Sequence, residues 1–331
     1  MLRNLLIFSA LAVAAASSAS FDMLLLPSQE GRVYRYDPLN RVALGSYSTA
    51  SVPMIAATSA NGIAYSGSAA GSGIRANYYS TGELYGIYNG TASAKSIDIT
   101  STNVFQITSS VLRRVNLASG SATSYLFSNT ITGMTTCVYG NYLHVFGINA
   151  SNQIQYQTFD LTTLTFGAVT NTSLTVGAGT TLGKAGITVN PVNGKVGVLF
   201  TYLSGGSLLG GYSDVQSTGQ NINTTFTSYN YNTLAFSTAV GMPAFVGGHS
   251  GFWLVGQDTT DTTKTRITRF DLFSSPLFND SHVMTAPSAG YNPAVSAYVP
   301  ANVIAPEPAE FLALGVGLAG LILKKRRKKV S

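Results

Sequence analysis

Histidines, cysteines and carboxylates move protons, attack carbonyls and hold metals, and this chain is short of all three. Its 331 residues include three histidines (His144, His249 and His282), one cysteine (Cys137) and 13 acidic residues. His144 alternates with Tyr142 and Phe146, so it reads as a packed or hydrogen-bonded strand histidine. His249-Ser250 lies in Gly247-Gly248-His249-Ser250-Gly251. A nucleophile elbow needs glycine two residues beyond its serine, where Phe252 stands, so a tight turn is the reading. Cys137, in Met134-Thr135-Thr136-Cys137-Val138-Tyr139, has no partner for an internal disulfide and reads as a small buried strand residue. Asp258-Thr259-Thr260-Asp261 could offer oxygens to Ca²⁺, yet such sites use more carboxylates at close spacing. A solvated hairpin tip is the reading there. No H-E-x-x-H, phosphate-binding loop, EF-hand or paired-cysteine motif is present. No catalytic set, metal site or cofactor is therefore nominated, and the expectation is a non-enzymatic protein. A carboxylate pair for glycoside cleavage could converge from distant loops without showing in sequence. A propeller-type lyase or hydrolase acting on polysaccharide is the alternative.

The positive chemical feature is aromatic, with 18 tyrosines and 16 phenylalanines. Many belong to a core, but a loop tyrosine can stack on a sugar face while its hydroxyl hydrogen-bonds. Charged residues are only 10%, against about 25% in an average soluble domain. Gly, Ser, Thr and Asn fill the gap, which suits turns and strands. The formal charge of +6 misleads. Six of the cations are consecutive at the C-terminus, and without them and the two terminal signals the body is near neutral. Nothing in it argues for nucleic-acid binding.

The elements that must position these side chains are strands. Met23-Leu24-Leu25-Leu26, a polar turn, then Arg32-Val33-Tyr34-Arg35-Tyr36-Asp37 and Pro38-Leu39-Asn40 form a phrase of strand, turn, alternating strand and Asp-type turn. Further copies, weaker except for the clear one at 268–272, align on Ser80, Asn116, Asp160, Asp214 and Asp271, at intervals of 43, 36, 44, 54 and 57 residues. Each is preceded by another strand: 62–67, 103–107, 142–147, 195–202 and 251–256. Periods of roughly 40–50 residues with about four strands each match β-propeller blades. The phrase also resembles the blade motif of secreted bacterial β-propellers. That resemblance implies architecture only, because propellers host both enzymes and binders. The expectation for residues 21–299 is an all-β propeller, six blades favoured and seven the near alternative. The uneven intervals keep a β-sandwich pair or parallel β-helix as the runner-up. The carboxylates at the phrase turns each read as accepting a backbone N–H.

Both ends of the chain carry signals. Arg3, the apolar run Leu5 to Ala16 and the small residues Ala16-Ser17-Ser18-Ala19-Ser20 predict a cleaved signal peptide over 1–20, hence export. No cysteine follows it, which argues against a lipoprotein. Residues 300–308 read as a linker ending in Pro306-Glu307-Pro308. Residues 309–331 contain the uncharged run Phe311 to Leu323 and then Lys324, Lys325, Arg326, Arg327, Lys328 and Lys329. A 13-residue helix spans roughly 20 Å against about 30 Å of hydrocarbon, so the predicted membrane helix is short. The cations form a cytoplasmic stop.

Pro-Glu-Pro, short membrane segment and basic tail, in that order, resemble the PEP-CTERM sorting signal of bacterial surface proteins. The resemblance covers under a tenth of the chain. It implies recognition by an exosortase-type membrane protease near Pro306, Glu307 and Pro308, with release or transfer of the body. It also implies a place at the cell surface or in the extracellular matrix, associated with exopolysaccharide or biofilm. Glu310, at the start of the apolar run, is a departure that blurs where the span begins.

Overall fold

The structure, a computed structural model, describes residues 23–298 apart from 29–30, 38–39, 49–53, 61–62, 69–72, 79–80, 82, 89–95, 109–110, 128–131, 190–194, 217, 235, 238–243, 249–250, 271–277 and 286–295. The predicted signal peptide, Pro306-Glu307-Pro308, the predicted membrane segment and His249-Ser250 lie outside the described residues. Among the described residues there is no helix, and so none long and apolar enough to cross a membrane.

Period-two alternation makes strands, and turn residues fold them back into antiparallel meanders. The first sheet contains β1 (Met23–Pro27), β2 (Arg32–Asp37) and β3 (Val42–Ser48). The second runs β4 (Met54–Ala60), β5 (Ile63–Ser68), β6 (Ile74–Tyr78), β7 (Leu84–Tyr88). The third runs β8 (Ser96–Ile99), β9 (Asn103–Ile107), β10 (Val111–Asn116), β11 (Ala122–Leu126). The fourth runs β12 (Thr132–Tyr139), β13 (Tyr142–Ile148), β14 (Gln153–Asp160), with β15 (Thr165–Phe166) and β16 (Thr170–Thr175) both on β14. In the fifth, β17 (Thr181–Leu182) and β18 (Gly186–Val189) share one edge of β19 (Val196–Ser204), followed by β20 (Ser207–Asp214) and β21 (Thr227–Asn230). In the sixth, β22 (Phe236–Ser237) and β23 (Ala244–Gly248) share an edge of β24 (Gly251–Asp258), followed by β25 (Lys264–Phe270) and β26 (Phe278–Thr285). Finally β27 (Ser296–Tyr298) returns to the first sheet and pairs antiparallel with β1, Leu24 opposite Ala297.

Each sheet packs face to face on the next through its own apolar cluster, so that the clusters close a ring. Leu25, Val33, Tyr47 and Ala64 join the first sheet to the second. Ile74, Ala76, Ile97 and Val104 belong to the cluster joining the second to the third; Phe105, Leu112, Leu143 and Phe159 to that joining the third to the fourth. Phe146, Tyr156, Val198 and Phe200 lie between fourth and fifth, and Leu199, Leu208, Phe236 and Leu254 between fifth and sixth. Leu24, Tyr36, Trp253 and Val255 close sixth on first. Strand edges nearest the axis touch in the same order, β27 with β4, β4 with β8, β8 with β12, β12 with β18, β18 with β23 and β23 with β27. This is a β-propeller arrangement.

Five of the sheets are each one continuous stretch of chain. The first is not: its innermost strand, β27, comes from the far end of the described residues. The long sequence intervals, 54 and 57, also have a structural origin. The innermost strand positions of the fifth and sixth sheets are split in two, and β14 carries an additional partner, β16.

Candidate functional site

Each repeat phrase whose anchor is described ends at the third strand of its sheet, where the chain turns toward the outermost strand. Asp37, Asn116, Asp160 and Asp214 end β2, β10, β14 and β20; Ser80 and Asp271 lie outside the described residues. Three of the four described anchors accept backbone N–H groups, as the turn reading requires. Asp37 Oδ1 accepts from Asn40 N at 2.9 Å. Asn116 Oδ1 accepts from Ala118 N at 3.0 Å and Ser119 N at 2.9 Å. Asp160 Oδ1 accepts from Thr163 N at 3.1 Å and Thr162 N at 2.7 Å, and these hold its carboxyl below the usual range.

Asp214 does something else. Its Oδ1 accepts from the Tyr212 hydroxyl at 2.7 Å, and its Oδ2 lies 3.6 Å from Lys195 Nζ. It faces a cleft of about 570 Å³ lined by Tyr139, Lys195, Val196, Asp214, Val215, Gln216 and Asn223. The cleft sits between the fourth sheet, which supplies Tyr139 at the end of β12, and the fifth, which supplies the rest. Its rim is a turn after β20, held by Val215 N to Val196 O at 2.8 Å, Gln216 N to Asn221 O at 2.7 Å and Asn223 N to Asp214 O at 2.9 Å. Gly219, at φ +73°, lets that turn lie flat on the rings of Tyr139 and Tyr142; a Cβ would need a backbone shape that other residues rarely adopt. Lys195 is 61% exposed and Asp214 23%, so both can meet a ligand. A tyrosine face, an ammonium, a carboxylate and two carboxamides at one cleft make a surface for a polyhydroxylated ligand. The sequence reading placed Asp214 only as a turn residue and missed Lys195, Gln216 and Asn223.

Under the rim lies His144, fully buried on β13 opposite Cys137 and Thr158. Burial drives its pKa down to about 4, with the Gly219 backbone acting weakly in the other direction. It is a neutral core imidazole, as its alternation implied. Cys137 is buried and burial pushes its thiol well up, so neither group serves the cleft as acid, base or nucleophile.

A second cluster lies nearer the axis. Where the innermost edge of the fifth sheet breaks between β17 and β18, Lys184 turns toward the third and fourth sheets. Its Nζ donates to Asp98 Oδ2 at 2.7 Å, Thr136 O at 2.5 Å and Ser96 Oγ at 3.3 Å. The Thr136 hydroxyl also donates to Asp98, and Ala185 N donates to Thr135 Oγ1 at 2.7 Å. Burial raises the Asp98 carboxyl above its ordinary range, opposed by the Lys184 charge and by hydrogen bonds from Lys184 and Thr136. All three ammonium protons are used, so the cluster ties three sheets together and leaves no donor for a ligand. Sequence reading missed it because Asp98 on β8, Thr136 on β12 and Lys184 in the break between β17 and β18 lie far apart in the chain.

Asp258-Thr259-Thr260-Asp261 differs from the solvated tip expected of it. Asp258 is 1% exposed. Its Oδ1 accepts from Thr260 N at 2.7 Å and its Oδ2 from Arg266 Nε at 2.7 Å. Burial pushes its carboxyl up, but the bonds from Thr260 and Arg266 outweigh this and hold it low. Asp261 accepts from Thr263 N at 3.0 Å and pairs with Lys264 at 3.1 Å. Both carboxylates are engaged by the hairpin itself. His282 lies on β26.

No family model matches the chain, and no curated protein does. Among solved structures it is similar to a chain of a nidogen/laminin complex, with TM-score 0.55 and 9% identity, over 83% of this chain and 98% of that one. A chain of Kuenenia stuttgartiensis hydrazine synthase aligns with TM-score 0.49 and 10% identity, over 74% of this chain and 75% of that one. At 9% identity the first likeness shows the fold alone.

Proposed function

We propose that this is an exported, non-enzymatic binding protein of the cell surface or extracellular matrix, that its six sheets are six blades, and that its ligand is exopolysaccharide. The observation that carries the binding part is Asp214. It is the described repeat anchor released from turn duty and turned instead toward a cleft with Tyr139 and Lys195. Asp214 is the sole carboxylate among the described lining residues, whereas glycoside cleavage normally uses two. Tyr139 offers a stacking face, and Lys195, Gln216 and Asn223 offer donors and acceptors to sugar hydroxyls.

Delivery rests on the two terminal signals. The signal peptide over 1–20 sends the chain out. An exosortase-type membrane protease then acts near Pro306-Glu307-Pro308 while Lys324 to Lys329 hold the tail at the cytoplasmic face. The mature protein is expected to lack that basic cluster by mass spectrometry. Pro306→Ala with Pro308→Ala should leave a larger, membrane-held form, and an intact Ser331 in the wild-type surface protein would refute the sorting assignment. The ligand test is a glycan array probed with wild type and Tyr139→Ala. Binding weakened by about tenfold in the variant is expected, from roughly 1–1.5 kcal/mol of lost stacking. Depolymerisation of a bound glycan would instead establish the lyase or hydrolase alternative.

A further inference from the structure

Of the described ion pairs, Lys195–Asp214 is the longest, and its lysine is the most exposed. Lys184 lies 2.7 Å from Asp98, Lys264 3.1 Å from Asp261 and Arg266 2.5 Å from Asp258, whereas Lys195 Nζ stands 3.6 Å from Asp214 Oδ2. A charge-assisted hydrogen bond runs about 2.7–2.9 Å, so Lys195 faces this carboxylate without bonding to it.

The two partners are held very differently. Asp214 is fixed: it pairs with Gly197 across the ladder of β19 and β20, and its carbonyl accepts from Asn223 N at 2.9 Å. Its Oδ1 accepts at 2.7 Å from the hydroxyl of Tyr212, a buried side chain. Lys195 stands just before β19 and carries its ammonium into solvent on a flexible four-carbon stem. Asp214 Oδ2 is thus turned into the cleft and accepts no hydrogen bond from a described residue. The protein's own ammonium marks where a ligand's ammonium would sit. It holds that place weakly, because exposed ion pairs contribute little. A ligand ammonium that reaches hydrogen-bond distance of Oδ2 makes the bond that Lys195 leaves unmade. Tyr139 lines the same cleft, and an aromatic face attracts a cation. An acidic sugar meets the reverse situation: the cation it needs is the movable partner, and the fixed charge beside it repels.

We propose that the cleft selects amino sugars with a free ammonium, Asp214 taking that ammonium and Lys195 giving way to it. The inference rests on the cleft reading above and narrows it from polyhydroxylated ligands to cationic ones. At about 570 Å³ the cleft falls in the range of small-ligand sites, about 300–1,000 Å³, and suits a short oligosaccharide segment.

Titration calorimetry on the purified full-length chain, at about pH 6 where an amine is protonated, compares the trimers of glucosamine, N-acetylglucosamine and galacturonate. Acetylation removes the charge and keeps the ring. The glucosamine trimer is expected to bind at least about tenfold tighter than the acetylated one. Asp214→Asn, which keeps an acceptor for Tyr212 and loses the charge, should abolish that difference. Lys195→Ala should tighten the glucosamine trimer by roughly two- to fivefold, because the competing ammonium is gone, and should not tighten the acetylated one. If Asp214→Asn does not fold, added salt decides on the wild type: it should weaken the glucosamine trimer and leave the acetylated one unchanged. A preference that survives Asp214→Asn, a glucosamine trimer weakened by Lys195→Ala, or galacturonate bound tightest would overturn the proposal. Equal binding of the glucosamine and acetylated trimers, lost in Tyr139→Ala, would overturn the ammonium assignment and leave the cleft reading standing. Binding of none of the three would overturn it too, and would sink the cleft reading with it only if the glycan array is also blank.

Discussion

Lys184 and Asp98 meet across sheets that are not neighbours in the chain, and neither has another charge to turn to in that cluster. Removing one partner leaves the other buried and uncompensated. Lys184→Met should therefore destabilise the fold by about 3–5 kcal/mol, while adding Asp98→Asn should recover part of that loss. Denaturant unfolding of the two variants against wild type measures both. His144 makes the opposite kind of prediction, because its charge is excluded rather than paired. Its folded pKa, about 4, lies below the unfolded value near 6.5. Between those values the unfolded chain binds the extra proton, so stability falls as pH drops through the window and levels off below it. The loss reaches roughly 3 kcal/mol by pH 4. His144→Gln should flatten that part of the stability-pH curve; a curve of unchanged slope would remove the buried imidazole as its cause.

Among the elements, β19 and β20 carry the closest packing near the cleft. A Cβ on Gly197 would stand 2.2 Å from Tyr212 Cε2, and Tyr212 cannot swing away without losing its bond to Asp214. Gly197→Ala should cost roughly 1–3 kcal/mol, read as a lower melting temperature, and should weaken cleft binding through displaced Asp214. The strands themselves were legible in sequence. Residues 103–107 form β9 as expected, and each predicted preceding strand overlaps the second strand of its sheet, because alternation and turn residues are local signals. The cleft was not legible. Tyr139 and Asp214 belong to different sheets, and only the packing of faces brings them together. What sequence could offer was the template, against which Asp214 stands out once its partners are known.

At the scale of the whole ring, closure depends on a ladder of three residue pairs, Met23 with Tyr298, Leu24 with Ala297 and Leu25 with Ser296. A chain ending at residue 294 should keep its strand content by circular dichroism but lose the sharp single melting transition, because the inner edge of β1 is uncovered. Limited proteolysis should then cut first in the first sheet; a transition as sharp as that of the full chain would show that the ladder is dispensable.

That same pairing imposes a schedule. β1 is among the first strands to leave the ribosome and, in an exported chain, among the first to emerge from the translocation pore. Its partner follows about 270 residues later. Bringing such distant ends together costs about 3 kcal/mol more than closing a ten-residue loop. Five sheets can form as their own segments arrive, but the first must wait with an exposed edge until the last strand is through. Throughout that wait the protein is an open arc whose leading edge accepts any strand that meets it, and the interval in which it is most exposed to misassembly ends only when Ser296 to Tyr298 appear.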